Sequence, residues 1–239
     1  MSISNLYFNY FNKNINKIQI EASLIIFEAA RDYLYLLNRG YNRQTVLDMV
    51  TARYKLSKVE RMILYRGIHP KELALKIKEK NVKAINDEDI IIDGFNTTSI
   101  IHSMLLGETL LIGNDGFVRD LARCIRKIKV DYNLMVSLAL LLSYVHNLKP
   151  RKIELVFDSQ ISMSAKIANL ARILLHNKED KVSLVPRADK YLIAKKNSIV
   201  ISSDILLLSR SEKIHDLAGE LVRILHYDNI IDFNNLLDI

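Results

Sequence analysis

Apolar residues recur at helical spacing through the first third of the chain, three and four positions apart, so that they share one face of a helix. Ser57 is followed three residues later by Glu60, the capping-box pattern that marks a helix start. The pattern predicts helices over residues 21–38, 42–53, 57–66 and 71–83. We therefore expect residues 1–84 to form a small all-helical module that resembles a helix-turn-helix bundle in outline.

From Asp89 onwards, short β-branched runs alternate with helical stretches. The runs predict strands at residues 89–93, 109–113, 153–157, 182–185 and 198–202. The stretches between them predict helices at residues 98–106, 117–128, 133–148, 164–176 and 213–225. Strands that alternate with helices form a mostly parallel central sheet flanked by helices. We therefore predict an α/β domain over residues 85–239.

Three of the predicted strands end in an acid: Asp93, Asp158 and Asp204. The carboxyl ends of parallel strands lie at one edge of a sheet, which is where open α/β sheets bind ligands. Carboxylates gathered there repel one another unless a cation lies among them, and Mg²⁺ and Mn²⁺ favour oxygen ligands. The alternative is that each aspartate is only a helix N-cap or a turn residue.

The segment NDGFVRD, residues 114–120, follows the second predicted strand and adds two carboxylates and a guanidinium. Asp115 is a further candidate for the catalytic site, and Arg119 is able to pair bidentately with phosphate. The alternative is a structural ion pair between Arg119 and Asp120. Asp189, near another strand end, is a further candidate metal ligand.

Positive charge is concentrated in the predicted helical module. Residues 1–84 contain 15 Lys and Arg against 7 Asp and Glu, whereas residues 85–239 contain 19 against 20. A basic module joined to a neutral domain suits a polyanionic partner, most simply nucleic acid, although a solvated helical surface is the alternative. The candidates for nucleic-acid binding are Arg39, Arg43, Arg53, Lys55, Lys58, Arg61 and Arg66.

Other features narrow the class of protein. The single cysteine, Cys124, leaves no intrachain disulfide and no Cys-rich zinc site, and we expect it to pack inside a helix. The most apolar run, residues 134–145, is too short to span a membrane, and the N-terminus lacks a signal-peptide pattern, so we expect a cytoplasmic protein.

The six histidines show no metal-ligand spacing. The N-terminal aromatic residues expected to anchor that terminus are Tyr7, Phe8, Tyr10 and Phe11.

The segments IIIDGFN, FDSQIS, ADKYLI and VISSD, in that order, resemble the PIN-like superfamily of metal-dependent nucleases, particularly its NYN-type branch. This resemblance covers residues 89–225. More narrowly, LNRGYNRQTVLDMVTARYKLSKVERMILYRG followed by DGFN and NDGFVRD resembles an uncharacterised, largely archaeal family. Its members pair a short helical region with a PIN-like domain, and this narrower resemblance covers most of the chain.

The resemblance implies a PIN-like fold for residues 85–239 and Mg²⁺- or Mn²⁺-dependent hydrolysis of phosphodiester bonds in nucleic acid, RNA rather than DNA. The implied metal ligands are Asp93, Asp158, Asp204 and Asp189. The implied catalytic residues are Asp93, Asp115, Asp158 and Asp204. Arg119 and Asn96 are the candidate phosphate-binding residues.

Two positions depart from the narrower family. His102 stands where an acid is frequent, and Asn114 precedes Asp115 where two aspartates are frequent. Loss of two acids would weaken metal binding, which leaves open a non-catalytic nucleic-acid-binding or regulatory protein with a degenerate PIN-like site. A second alternative is an assembly module whose aspartates only cap helices. A homodimer is compatible with either.

Overall fold

A computed structural model describes residues 24–122, 130–175 and 177–238 of the protein. Its α-helices are α1 Leu24–Asn38, α2 Arg43–Tyr54, α3 Lys58–Gly67, α4 Lys71–Lys80, α5 Gly94–Leu105, α6 Tyr132–Asn147, α7 Ser164–Leu174, α8 Ala188–Ala194, α9 Ile205–Arg210 and α10 Leu217–Ile224. Its strands are β1 Asp89–Asp93, β2 Leu110–Ile112, β3 Val118–Asp120, β4 Lys152–Asp158, β5 Lys181–Val185, β6 Ile199–Ile201, β7 Ile214–His215 and β8 Ile230–Asp232. A 3₁₀ helix, Asn234–Asp238, follows β8. Within the three described ranges, no helix is long and apolar enough to cross a membrane.

The first four helices start and end at local capping groups. Ser57 and Glu60 form the predicted capping box, in which the Ser57 N–H donates to the Glu60 carboxylate at 2.8 Å. Asn42 caps α2, since its Oδ1 accepts a hydrogen bond from the N–H of Thr45 at 3.2 Å. Gly40 adopts a φ of +79° in the turn between α1 and α2, a conformation that glycine tolerates best.

The first four helices pack against the short strands β2 and β8 through one continuous hydrophobic core. Tyr33 of α1 and Leu64 of α3 belong to the same buried cluster as Leu111 of β2, Ile231 of β8 and Phe233. Each helix therefore buries its apolar face partly against residues that lie far away in sequence. Burial of this kind is the main source of stability for short helices in proteins.

The main sheet has five parallel strands in the order β5-β4-β1-β6-β7. Its central strand, β1, is buried on both faces. Ile90 and Ile92 point into a core shared with α5, α6 and α7, whereas Ile91 belongs to a second core with α8 and α9. A continuous β-branched run is typical of such a two-sided strand. The predicted fold class, a mostly parallel α/β sheet flanked by helices behind a helical region, is confirmed.

The prediction of a helix over residues 117–128 is wrong at residues 118–120, which form β3. This strand pairs antiparallel with β2, and β8 completes a separate sheet in the order β3-β2-β8. A tight turn causes the difference. Gly116 has a φ of +83°, and the Gly113 N–H donates to the carbonyl of Phe117, which closes a hairpin. The second predicted strand therefore does not join the main sheet.

The prediction of a helix over residues 213–225 is also wrong at its start. Ile214 and His215 form β7 at the edge of the main sheet, and α10 begins after Asp216, whose Oδ1 accepts from the N–H of Gly219. Cys124 and the N-terminal aromatic residues lie outside the described residues, so their predicted roles remain predictions.

Candidate functional site

Four of the predicted acids share the carboxyl edge of the main sheet. β4, β1 and β6 are neighbours, so Asp158, Asp93 and Asp204 follow the ends of adjacent parallel strands. Asp93 pairs with Val156, which places Asp158 one strand over and two residues further on, roughly 8 Å away between Cα atoms. Asp189 lies in the first turn of α8, directly after β5.

Three of these carboxylates also accept a hydrogen bond from the backbone of the turn that follows their strand. The bonds run from Asn96 N to Asp93 (3.3 Å), from Gln160 N to Asp158 (2.8 Å) and from Leu206 N to Asp204 (2.8 Å). The second oxygens of Asp158 and Asp204 have no hydrogen-bond partner among the described residues. Capping and ligand binding are therefore compatible, because each uses a different oxygen.

Ser202 and Asn96 join the ends of β1 and β6. Ser202 Oγ donates to Asp93 Oδ2 at 3.1 Å and accepts from the N–H of Asp204 at 3.1 Å. Asn96 Oδ1 accepts from both the N–H and the hydroxyl of Ser203, at 2.8 and 2.9 Å. These bonds orient the amide with its oxygen toward Ser203, so that Nδ2 of Asn96 is the atom able to donate to a phosphate.

A cavity of about 660 Å³ lies between this sheet edge and the helical region. We call its carboxylates the acidic wall: Asp93, Asp158, Asp189 and Asp204. The residues that we call the basic wall are Arg43, Tyr65, Arg66, His69 and Arg119. A cavity of this size suits a small ligand or one end of a larger one. The basic wall faces the same cavity as the acidic wall, so its arginines can contact an anionic group of a ligand bound there.

The acidic wall fits a hard divalent cation in its chemistry, since all its donors are carboxylate oxygens. Within the described part of the chain, however, no three His, Cys, Asp or Glu side chains converge closely enough to hold a metal ion. Mg²⁺ commonly takes one or two protein carboxylates and keeps several waters, which this spacing permits.

Arg119 and Asp115 form a fully buried ion pair. Arg119 Nη1 and Nη2 donate to the two Asp115 oxygens at 2.7 and 2.5 Å. Burial alone would raise the pKa of Asp115, but the adjacent Arg119 outweighs it and the pKa is lowered. Of the two interpretations of Arg119 from the sequence, phosphate binding and an ion pair with Asp120, the second names the wrong partner. Asp120 actually accepts from Ser103 and from the N–H of Ala122.

This pairing bears on two predicted site residues. Asp115 lies behind the cavity, not among the residues that line it. Both of its oxygens are used by Arg119, so it has no free oxygen facing the acidic wall. Arg119 lines the cavity, but its charge is already balanced by Asp115.

His69 was not among the residues predicted for the site, because the histidines show no metal-ligand spacing along the chain. It lies between α3 and α4 and lines the cavity. Arg43 Nη1 lies 3.3 Å from His69 Nδ1, and because arginine can only donate, Nδ1 accepts and the proton is on Nε2. Nε2 lies 3.6 Å from Asp115 Oδ2. Burial lowers the pKa of His69 to about 3, so the imidazole is neutral.

Asn114 also contributes to this contact. Its Oδ1 accepts from the N–H of His69 at 3.0 Å, and its Nδ2 donates to the His69 carbonyl at 2.8 Å. The β2–β3 turn is therefore fastened to the loop after α3. The sequence analysis treated Asn114 as a lost acid, whereas the structure gives the amide a structural role that an aspartate could not fill.

The predicted nucleic-acid-binding residues fall into two groups. Arg43 and Arg66 line the cavity, and Arg66 Nη1 donates to the Asp120 carbonyl at 2.5 Å. The others lie elsewhere on the helical region: Arg39, Arg53, Lys55, Lys58 and Arg61. Lys58 begins α3 and Arg66 lies near its end, which separates them by about 12 Å along the helix axis. The basic residues therefore do not form one continuous face toward the cavity.

Two family models match the chain. The model of a domain of unknown function, DUF5616, matches residues 82–220, which is more than half of the chain, and the model of a protein of unknown function, DUF434, matches residues 25–80. The chain belongs to the DUF5616 family. The four carboxylates of the acidic wall all lie within the DUF5616 match, whereas Arg43, Arg66 and His69 lie within the DUF434 match. The cavity of this DUF5616 protein is therefore formed between the two matched regions.

One curated relative is similar over most of its length. An uncharacterized protein of Methanocaldococcus jannaschii is 29% identical over 203 residues, which cover 83% of this chain and 97% of the relative. No solved structure matches the chain.

Proposed function

We propose that this DUF5616 protein is a Mg²⁺- or Mn²⁺-dependent nuclease that hydrolyses phosphodiester bonds, with RNA as the expected substrate. One observation carries the proposal. A single cavity brings four carboxylates from the sheet edge together with guanidinium groups from the helical region. A phosphodiester at a metal ion needs both, because the carboxylates hold the cation and the guanidiniums bind the anionic phosphate.

In this proposal the acidic wall holds the metal and the basic wall holds the substrate. Asp93, Asp158 and Asp204 would supply carboxylate oxygens, with Asp189 as an additional or water-mediated ligand. When bound, the ion supplies activation of a water molecule and neutralisation of phosphate charge. Arg43 and Asn96 Nδ2 would orient the phosphate. Arg119 would line the phosphate side of the cavity, with its charge balanced by Asp115 behind it.

The resemblance to PIN-like nucleases supports the same assignment. Its first-strand acid, mid-sheet acid and late serine-aspartate segment correspond to Asp93, Asp158 and Asp204. Asp93 and Asp204 are joined through the hydroxyl of Ser202. A cytoplasmic location belongs to the proposal as well, since a single cysteine suits a reducing compartment.

A non-catalytic nucleic-acid-binding protein is the second candidate. The observation that favours it is the spacing of the carboxylates, no three of which converge on one point within the described residues. In that case the acids serve as caps and the basic wall alone binds the ligand. Metal separates the two candidates, because a binding protein keeps its affinity in a chelator whereas a nuclease loses cleavage.

Cleavage of a mixed pool of RNA and single-stranded DNA, measured with Mn²⁺ and with a chelator, tests the proposal. We expect cleavage of RNA with Mn²⁺ only. Asp158→Asn should abolish it, whereas Asp89→Asn is the matched control. Asp89 begins β1 at the opposite edge of the same sheet, where it pairs with Arg151 at 2.8 Å. Binding without cleavage in either condition would replace the nuclease by the binding protein.

A further inference from the structure

For Arg43 of the basic wall, the described residues provide no carboxylate partner. Among the described residues, the hydrogen-bond partners of Arg43 are neutral: the carbonyls of Tyr65 and Ile68 and the Nδ1 atom of His69. Its Nε atom is buried and has no partner there. Two nearby arginines differ, since Arg61 pairs with Asp48 at 2.7 Å and Arg119 pairs with Asp115.

An unneutralised guanidinium in a partly buried position is costly unless an anion reaches it. Arg43 is held in place by three acceptors, the Tyr65 carbonyl in the last turn of α3 and two groups of the loop after it, so its charge is fixed at the cavity. A planar guanidinium that is fixed in this way suits a phosphate ligand, because its N–H groups match the spacing of phosphate oxygens. Arg43 is therefore the best-prepared anion site of the cavity.

Tyr65 lies directly beside this anion site. The Arg43 guanidinium stands over its ring at 4.6 Å from the centroid, and Tyr65 remains 42% exposed while it lines the cavity. An aromatic ring at the edge of an anion site has the geometry that stacks on a nucleobase. The cation on the ring also keeps it in one orientation.

We propose that Arg43 and Tyr65 form a subsite for one unpaired nucleotide, in which Arg43 binds the phosphate and Tyr65 stacks on the base. The inference rests on the proposed function for the identity of the ligand as nucleic acid. It goes further in two ways. It assigns recognition of the nucleotide to the helical region, and it requires the base to be unstacked from its neighbours in the nucleic acid. A cavity of about 660 Å³ has room for one or two nucleotides and not for a duplex.

The helical region also provides a matched control pair. Arg39 lies over the ring of Tyr35 at 5.1 Å and donates to its hydroxyl at 2.9 Å. This second arginine–tyrosine pair is more exposed, with 56% of Tyr35 accessible, and it does not line the cavity. Tyr35→Leu therefore makes the same change of side chain as Tyr65→Leu, at a position outside the proposed subsite.

Calorimetric titration of the full chain in a chelator tests the subsite. The ligands are adenosine 5′-monophosphate, ribose 5-phosphate and inorganic phosphate. We expect the nucleotide to bind about tenfold or more tightly than ribose 5-phosphate, the gain that stacking of one base provides. Tyr65→Leu should remove this difference, and Arg43→Gln should weaken all three ligands. Tyr35→Leu, the matched control, should bind all three ligands as wild type does.

Equal affinity of the wild-type protein for the nucleotide and for ribose 5-phosphate would overturn the inference without any variant. So would equal effects of Tyr65→Leu and Tyr35→Leu. If Arg43→Gln does not fold by thermal melt, Arg43→Lys and the wild-type comparison decide. Base-dependent binding without Mn²⁺-dependent cleavage would remove the nuclease and keep the subsite. Mn²⁺-dependent cleavage without base-dependent binding would keep the nuclease and remove the subsite.

Discussion

The acidic and basic walls of the cavity are built in different ways. The acidic wall repeats one local unit, a buried strand followed by an aspartate that accepts from the backbone of the next turn. Asp93 and Asp158 are the last residues of their strands, and Asp204 lies three residues after β6. The basic wall has no repeated unit. Arg43 comes from α2, His69 from a loop and Arg119 from β3.

The difference extends to how the two sets of charges are stabilised. The carboxylates of Asp158 and Asp204 each keep one oxygen without a hydrogen-bond partner among the described residues, so they can accept a cation. The basic wall is a buried chain of contacts that runs from Arg43 through His69 and Asp115 to Arg119. This chain is only partly satisfied, because Arg43 Nε and His69 Nε2 are buried without a hydrogen-bond partner among the described residues. The acidic wall therefore keeps oxygens open to a cation, whereas the basic wall is held mainly by contacts within the protein and leaves Arg43 to meet an anion.

The largest expected effect is on activity, at the acidic wall. Asp93→Asn keeps the shape of the side chain but removes its charge, so cleavage should fall by orders of magnitude because the metal loses a ligand. The melting temperature without metal should change little, because the asparagine Oδ1 can still accept one of the hydrogen bonds that Asp93 accepts from Asn96 N and Ser202 Oγ. The assay pairs cleavage with thermal melts in the presence and absence of Mn²⁺. An Asp93→Asn protein that cleaves like wild type would end the metal-site hypothesis.

The next effect is on stability, at the basic wall. Asp115→Ala leaves the Arg119 guanidinium buried without its partner, so the free energy of unfolding should fall by about 3–5 kcal/mol. Asp204→Ala removes only a capping hydrogen bond from a well-exposed aspartate and should cost about 1 kcal/mol. Urea unfolding at neutral pH measures both. Similar losses from the two variants would show that the two walls do not differ in the way proposed.

The pH dependence of stability should reveal the buried imidazole of the basic wall. The pKa of His69 is lowered from 6.5 to about 3, so the unfolded chain binds a proton below pH 6.5 that the folded protein does not. The free energy of unfolding therefore keeps its full value with respect to His69 above pH 6.5, and it decreases as the pH falls from 6.5 toward 3. Between pH 7 and pH 5 the loss should be about 2 kcal/mol. His69→Gln lacks this titration, so urea unfolding should show a correspondingly shallower pH dependence for that variant.

The smallest expected effect separates the basic wall from the rest of the helical region. Arg43→Gln with Arg66→Gln should weaken binding of single-stranded RNA about tenfold and should reduce its dependence on salt. Arg53→Gln with Lys58→Gln removes the same charge away from the cavity and should have less effect. Fluorescence anisotropy over a series of KCl concentrations compares the two pairs. A larger effect from the second pair would place the nucleic acid on the outer surface of α2 and α3.

Several local features could be predicted because nearby residues decide them. The Ser57–Glu60 capping box and the ends of β1 and β4 follow from short patterns whose hydrogen bonds span only a few residues. The hairpin at residues 113–117 could not be predicted by periodicity, because three-residue strands carry too little pattern to separate them from a helix. The glycine at 116 was the available signal, since it permits a tight turn.

By itself the sequence determined the fold class and the acidic wall, because parallel strands place their ends at one edge wherever the chain crosses between them. Only the tertiary structure decided the basic wall. It brings Arg43 and His69 beside Asp115 and Arg119. It also paired Arg119 with Asp115 and left Arg43 without a carboxylate partner among the described residues, because ion pairing depends on distances between elements that no spacing along the chain encodes.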